Sequence, residues 1–211
     1  MNANDRDPPL GLVYVVDDDE AVRDSLQFLL EPTYRVATFD SAEAFLAQYD
    51  PKAIACLILD VRMPGMSGLQ LQEELLARGA HLPVVFITGH GDVPMAVATM
   101  KKGAADFIEK PFEQQALKAL VERMLERARD EAARVERERL NSALLNRLTP
   151  REQQVLERIV AGRLNKQIAD DLGISIKTVE AHRANIMDKV NATTVADLMR
   201  IVLSGGGLKP S

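Results

Sequence analysis

Residues 58–68 read Ile58-Leu59-Asp60-Val61-Arg62-Met63-Pro64-Gly65-Met66-Ser67-Gly68. Apolar residues, Leu57 to Leu59, carry one carboxylate, Asp60, to the end of what reads as a buried strand, and Pro64, Gly65 and Gly68 punctuate the loop behind it. An apolar run closed by an acid and a Pro/Gly turn fits a parallel strand, and ligands bind at the carboxyl ends of such strands. Three other runs end in the same way. Leu12–Val16 leads into Asp17-Asp18-Asp19-Glu20, the run 84–88 (VVFIT) closes on Thr88, and 106–111 (DFIEKP) carries Lys110. Carboxylates, a hydroxyl and an ammonium are thereby expected on one edge of one sheet.

Outward from this stretch, strand and helix patterns alternate as far as residue 121. Strands are expected over Leu12–Val16, Arg35–Phe39, Cys56–Leu59, Val84–Thr88 and Asp106–Ile108. Between them, Ala21–Leu30 reads as a helix with Val22, Leu26, Leu29 and Leu30 on one face, and Ser41 as the cap of a helix holding Phe45. Leu69–Arg78 reads as a helix with Leu71, Leu75 and Leu76 inward, Val93–Lys102 as another, and Glu113 as the start of the last. Five such units with short connections predict an α/β domain, a parallel sheet with helices on both faces.

Composition bounds the rest. A chain of 211 residues that is 46% hydrophobic suits one or two domains with real cores. The single cysteine, Cys56, lies inside an apolar run, which excludes a disulfide framework and a zinc cluster. The longest apolar stretches are strand-sized, and the first 11 residues hold acids and prolines where a signal peptide needs an apolar core; a cytoplasmic protein with no membrane partner is expected. The charge is uneven. Residues 1–121 carry 18 acids against 10 bases, net −8, whereas 148–211 carry 7 against 9, net +2, so different partners are expected for the two ends.

The motifs of residues 12–121 resemble those of the receiver domain of bacterial two-component response regulators. VVDDDE is similar to its metal-binding acidic pair, ILDVRMPGMSG to its phosphoacceptor loop, ITGHGD to its switch-threonine loop and DFIEKPF to its lysine–proline loop; ITGHGDVPMAV and GAADFIEKPF are most similar to the FixJ branch. The resemblance implies strand order 2-1-3-4-5, Asp60 as phosphoacceptor, and Thr88 and Lys110 as its catalytic neighbours. It also implies Mg²⁺ as cofactor, held by Asp17, Asp18, Asp60 and the backbone carbonyl of Arg62. Phe107 is implied as the aromatic that moves with Thr88, and Pro111 as the site of a cis bond. The chemistry agrees. A carboxylate attacking a phosphoryl group forms an aspartyl phosphate, whose anionic oxygens need a hard cation, an ammonium and a hydroxyl donor. Asp19 and Glu20 read as solvent-facing or helix-capping, and His90 as a loop residue beside the site.

No Gly or Pro interrupts residues 112–149, and charges of both signs alternate from Glu122 to Arg139. One helix of roughly 35 residues, ~50 Å at 1.5 Å per residue, is expected. Leu117, Val121, Met124, Ala128 and Val135 keep an approximate heptad, with Glu131 and Glu138 at two seam positions, so a weak coiled-coil seam is one reading and a solvated tether the other.

Beyond it, Thr149-Pro150-Arg151-Glu152 has the form of a capping box with proline at the first helical position. Helices are expected from there to Gly162, over Asn165–Leu172, from Ser175 through Val190, and over Ala192–Leu203; two joined at Gly173 suggest a helix-turn-helix. LTPREQQVL…NKQIADDLGISIKTVEAHRANIMDKV resembles the LuxR-type DNA-binding domain of the FixJ/NarL family. With Val179, Ile186 and Val190 inward, Lys177, Glu180, Ala181 and Ala184 become candidates for the major groove. Asn165, Lys166 and Arg183 become candidates for phosphates, and His182 reads as structural.

The expected organisation is a flexible N-terminus (1–11), a receiver (12–121), a helical linker (122–147) and a DNA-binding domain (148–211). The function expected is that of a transcriptional regulator and not of an enzyme, beyond transfer and hydrolysis of its own phosphoryl group. Its expected partners are a sensor histidine kinase, double-stranded DNA, RNA polymerase and a second copy of itself once phosphorylated. A haloacid-dehalogenase-type phosphotransferase would want Asp-x-Asp on the nucleophile strand, where Asp60 is followed by Val61-Arg62. A receiver that has lost phosphorylation would lack some of the acceptor and metal residues, all of which are present.

Overall fold

Side-chain alternation along the strands assigns the two faces of the sheet. In the computed structural model, which describes residues 11–89 and 106–205, β1 (Leu12–Val16) sends Val13 and Val15 to one apolar cluster and Tyr14 and Val16 to the other. The same period of two divides β3 (Ala55–Asp60), with Cys56 and Ile58 opposite Leu57 and Leu59. It divides β4 (Val84–Thr88) likewise, with Val85 and Ile87 opposite Val84 and Phe86. β2 (Arg35–Phe39) and β5 (Asp106–Glu109) form the edges, and all pairings in the order β2-β1-β3-β4-β5 are parallel.

Helices cover both faces. α1 (Glu20–Leu30) and the first part of α4 (Gln114–Leu145) pack on Val13, Val15, Ile58 and Val85, while α2 (Ala42–Gln48) and α3 (Gly68–Ala77) pack on Tyr14, Leu57, Leu59 and Phe86. Cys56 is buried in the first layer, where desolvation pushes its thiol up to about 12, so packing is its role. The helix expected over Val93–Lys102, and His90, lie outside the described residues.

The expectations at Ser41, at Leu76 and along the α4 heptad need correction. Ser41 stands at the N-cap of α2, but its hydroxyl donates to Asp40 Oδ1 and accepts nothing from the helix. Leu76 is 50% exposed and outside the core, because Leu71 and Leu75 already fill the stripe that faces the sheet. The heptad along α4 is no coiled-coil seam over its first half: Leu117, Val121 and Met124 are fully buried in the receiver core and Ala128 nearly so. Glu131 instead pairs with His81 at 3.2 Å, and Glu138 with Arg134 on the same helix.

The chain divides after Ala132. In the second unit, Leu145 at the end of α4 and Leu148 just beyond it join α5 (Pro150–Val160), α6 (Asn165–Leu172), α7 (Ile176–Lys189) and α8 (Val195–Ser204) around one apolar cluster. Thr149 and Glu152 form the expected capping box. The fourth helix begins at Val195 and not Ala192, since Thr194 and Asp197 make a second capping box there. Gly173 ends α6 at φ 64°, a left-handed position that costs glycine little, and so allows the tight turn into α7. Among the described residues no helix is long and apolar enough to cross a membrane.

Candidate functional site

Parallel register brings the polar residues of the first unit into one row. Val16 pairs with Leu59, so Asp17 and Asp60, each the next residue, emerge side by side from β1 and β3. Thr88 pairs with Glu109 across β4 and β5, and Lys110 follows directly. Each strand therefore runs out of apolar sequence at the same row.

The side chains meet there. Lys110 Nζ donates to Asp17 Oδ2 at 2.9 Å and to Asp60 Oδ1 at 3.0 Å. The second oxygen of Asp60 accepts from the Arg62 N–H at 2.7 Å, and Asp17 Oδ1 accepts from the Asp19 N–H at 2.9 Å. Asp17 is only 2% exposed, an expensive place for a carboxylate unless a cation is close. Burial pushes the Asp60 carboxyl above the ordinary aspartate range, against the opposing pull of Lys110 and the Arg62 N–H. For Lys110 burial works downward, but the hydrogen bonds and charges of Asp17 and Asp60 outweigh it and hold the ammonium above its usual value. The edge is thus built to hold positive charge between carboxylates.

Thr88 is 1% exposed, and its hydroxyl has no hydrogen-bond partner among the described residues. An acceptor at this row would satisfy a buried hydroxyl, which left without one costs about 1–3 kcal/mol. Phe107 is half-buried on the face that also holds Phe86, its cross-strand neighbour. The Lys110–Pro111 peptide is cis. Asp18 is exposed, and Asp19 caps α1 by accepting from the Ala21 N–H at 2.9 Å.

Asp17, Asp18, Asp60 and the Arg62 carbonyl offer only hard oxygen donors, the set that suits Mg²⁺. Among the described residues no three His, Cys, Asp or Glu side chains form a ready-made metal cluster. That is compatible with an ion that takes one or two carboxylates and keeps waters.

Gly68 was legible only as a turn residue, but its backbone explains how the loop closes. A Cβ there would lie 2.1 Å from the Asp60 carbonyl oxygen, so only glycine lets α3 start this close to the strand that carries Asp60. Ser67 caps that helix in a box with Gln70. Glu43 of α2 accepts from the Met66 N–H at 3.2 Å and steadies the same loop. Neither Glu43 nor Gly68 carries a local signal of such contacts, which join separate elements.

In the second unit, Ser175 caps α7, and Val179, Ile186 and Val190 are buried as expected. Lys177, Glu180, Ala181 and Ala184 are exposed along that helix, and Lys166 is exposed on α6. Asn165 and Arg183 are half-buried. His182 is also half-buried, and its Nδ1 is enclosed without a partner among the described residues. Beyond the expected capping box, the contact between Glu152 and Lys189 had no signal in the sequence. Glu152, buried, accepts from Lys189 Nζ at 2.7 Å and from the Thr149 N–H at 2.8 Å, tying the start of α5 to the end of α7.

Comparison with known proteins follows this division. Residues 13–122 match the response regulator receiver domain, and residues 146–202 match the bacterial regulatory proteins of the luxR family. The chain is 49% identical to the transcriptional regulatory protein FixJ of Azorhizobium caulinodans, over 92% of each chain. It is 47% identical to FixJ of Rhizobium meliloti, over 92% of this chain and 96% of the other. Among solved structures, the response regulator StyR superposes with a TM-score of 0.78 at 48% identity, covering 91% of this chain and 98% of that one. Full-length FixJ of B. japonicum gives 0.56 at 41% identity, covering 94% and 98%. The chain therefore belongs to the response regulators that join a receiver domain to a LuxR-family DNA-binding domain.

Proposed function

We propose that this protein is a transcriptional regulator switched by phosphorylation of Asp60. The reading rests above all on the Lys110 ammonium, 2.9 Å from Asp17 and 3.0 Å from Asp60, beside a buried Thr88 hydroxyl that has no partner among the described residues. In the proposed reaction an Asp60 carboxylate oxygen attacks the phosphorus of a phosphohistidine on a sensor kinase. The phosphorus–nitrogen bond breaks, and its electron pair leaves with the imidazole. Lys110 then releases Asp60 to contact a phosphoryl oxygen, and the Thr88 hydroxyl donates to another. Asp17, Asp18, Asp60 and the Arg62 carbonyl are assigned to Mg²⁺, which neutralises charge on the phosphoryl oxygens when bound. Hydrolysis of the aspartyl phosphate at the same site resets the switch.

Phe107 and Pro111 are assigned to transmission: the ring follows Thr88, and Pro111 fixes the chain that carries Lys110. We assign Lys177, Glu180, Ala181 and Ala184 to base edges, and Asn165, Lys166 and Arg183 to phosphates. The proposed map is an N-terminus over 1–11, a receiver over 12–121, a linker over 122–147 and a DNA-binding domain over 148–211. The proposed setting is the cytoplasm, where the phosphorylated protein acts as a homodimer on promoter DNA and engages RNA polymerase.

Acetyl phosphate with Mg²⁺ tests the core of this reading. Asp60→Asn should take up no phosphate while keeping its melting temperature, and Asp18→Ala should need more Mg²⁺ for the same extent of labelling. Labelling of Asp60→Asn at the wild-type rate would show that another acid is the acceptor.

A further inference from the structure

Of the three aspartates in the β1–α1 turn, two have committed side chains. Asp17 accepts from Lys110 and the Asp19 N–H, and Asp19 accepts from the Ala21 N–H. The Asp18 carboxylate makes no hydrogen bond among the described residues, so its direction is left to its own backbone. That backbone is held from α1. Arg23 Nη1 donates to the Asp17 carbonyl at 2.7 Å and to the Asp18 carbonyl at 3.0 Å. These two carbonyls belong to the peptide units on either side of the Asp18 Cα. Because peptide units are planar, fixing both fixes the φ and ψ of Asp18, and with them the direction of its Cα–Cβ bond.

The helix itself gives no reason for the arginine. A cation near a helix N-terminus is disfavoured by the macrodipole, and α1 begins at Glu20, only three residues before Arg23. Nor does it help a metal by charge, since a guanidinium beside a divalent ion repels it. What remains is geometric. We infer that Arg23 is a positioning residue for the divalent cation, locking the Asp18 backbone so that its carboxylate is presented at the acidic edge. This rests on the assignment of Asp17 and Asp18 to Mg²⁺. It adds a residue outside the acidic row whose effect on binding is opposite in sign to its charge.

That sign is the test. Mg²⁺ is titrated into the full-length, unphosphorylated protein by calorimetry, for the wild type, Asp18→Ala, Arg23→Met and Arg35→Met. Arg35 is exposed at the start of β2, the opposite end of the sheet, so its variant removes the same charge without touching the turn. Arg23→Met should bind Mg²⁺ about tenfold more weakly, because the Asp18 backbone it leaves free must then be ordered when the cation binds. Arg35→Met should bind as the wild type does. Unchanged or tighter binding by Arg23→Met would overturn the inference, because only charge would then have been removed. Should Arg23→Met fail to fold, Arg23→Lys decides: an ammonium holds the two carbonyls less well, so two- to threefold weaker binding supports the inference and wild-type affinity overturns it. A wild type that binds no Mg²⁺, or an Asp18→Ala variant that binds it normally, would instead sink the metal assignment on which the inference rests.

Discussion

Asp60, half-buried, and Glu152, buried, share the same solution. Asp60 takes an ammonium from just beyond β5, two strands away, and Glu152 takes one from 37 residues away. For Glu152, burial alone would raise the pKa, but hydrogen bonds from Lys189 and Thr149 outweigh it and hold the carboxyl below the ordinary glutamate range. A depressed folded value means that its stabilisation is complete above the unfolded pKa, ~4.3. It is lost as pH falls through the lower folded value. The second unit should therefore lose stability on acidification below about pH 4. Glu152→Gln should cost about 1–3 kcal/mol at neutral pH by leaving Lys189 and the cap poorly paired, and should flatten the acid dependence. Hydrogen exchange of α5 and α7 amides at pH 7 and pH 4 reads both effects, and equal acid sensitivity in the variant would refute the assignment. Asp17, Asp60, Thr88 and Lys110 could be read from sequence because each terminates an apolar run. Glu152 could be read only as a cap and Arg23 not at all, since their other partners are a distant side chain and two backbone carbonyls. Neither kind of partner leaves a trace in local sequence.

At the level of elements, periodicity located the strands and most helices to within a few residues, because burial on one face or two dictates the pattern. It failed on α4 for a related reason. A stripe at heptad spacing looks the same whether it meets a second helix or a sheet, and here Leu117, Val121 and Met124 meet the sheet. Met124 is fully buried in that layer. Met124→Ala should thus destabilise the receiver unit by about 2–5 kcal/mol, whereas truncating a free coiled-coil seam would leave it untouched; urea unfolding of the first unit distinguishes them. The same placement changes what Glu131 and Glu138 do. Replacing both with leucine removes the pairs to His81 and Arg134 but extends no seam, since the stripe before them is already covered. Glu131→Leu/Glu138→Leu should remain as monomeric as the wild type in sedimentation, and dimers at tens of micromolar without phosphate would restore the seam.

For the whole molecule, charge separates the tasks. The net −8 of residues 1–121 suits a cation-dependent phosphate site and repels DNA, while the +2 of residues 148–211 provides only modest attraction to it. A DNA-binding unit so weakly basic cannot depend on bulk charge for affinity. Each placed contact must therefore count, and doubling the contacts by dimerisation becomes an effective lever. Loss of one phosphate contact should lower the slope of log affinity against log salt by about 0.9 per monomer engaged. Lys166→Ala should accordingly weaken binding to every sequence, whereas Glu180→Gln should alter the preferred sequence in a randomised library with little change in salt slope. The coupling to Asp60 is measured on the same footing. With BeF₃⁻ and Mg²⁺ the wild type should sediment as a dimer, and the slope for DNA binding should approach twice that of the untreated protein, because two units then displace counterions together. Asp60→Asn should show neither change. A wild type that is dimeric before treatment, with the same salt slope before and after, would mean that phosphorylation acts by some route other than assembly.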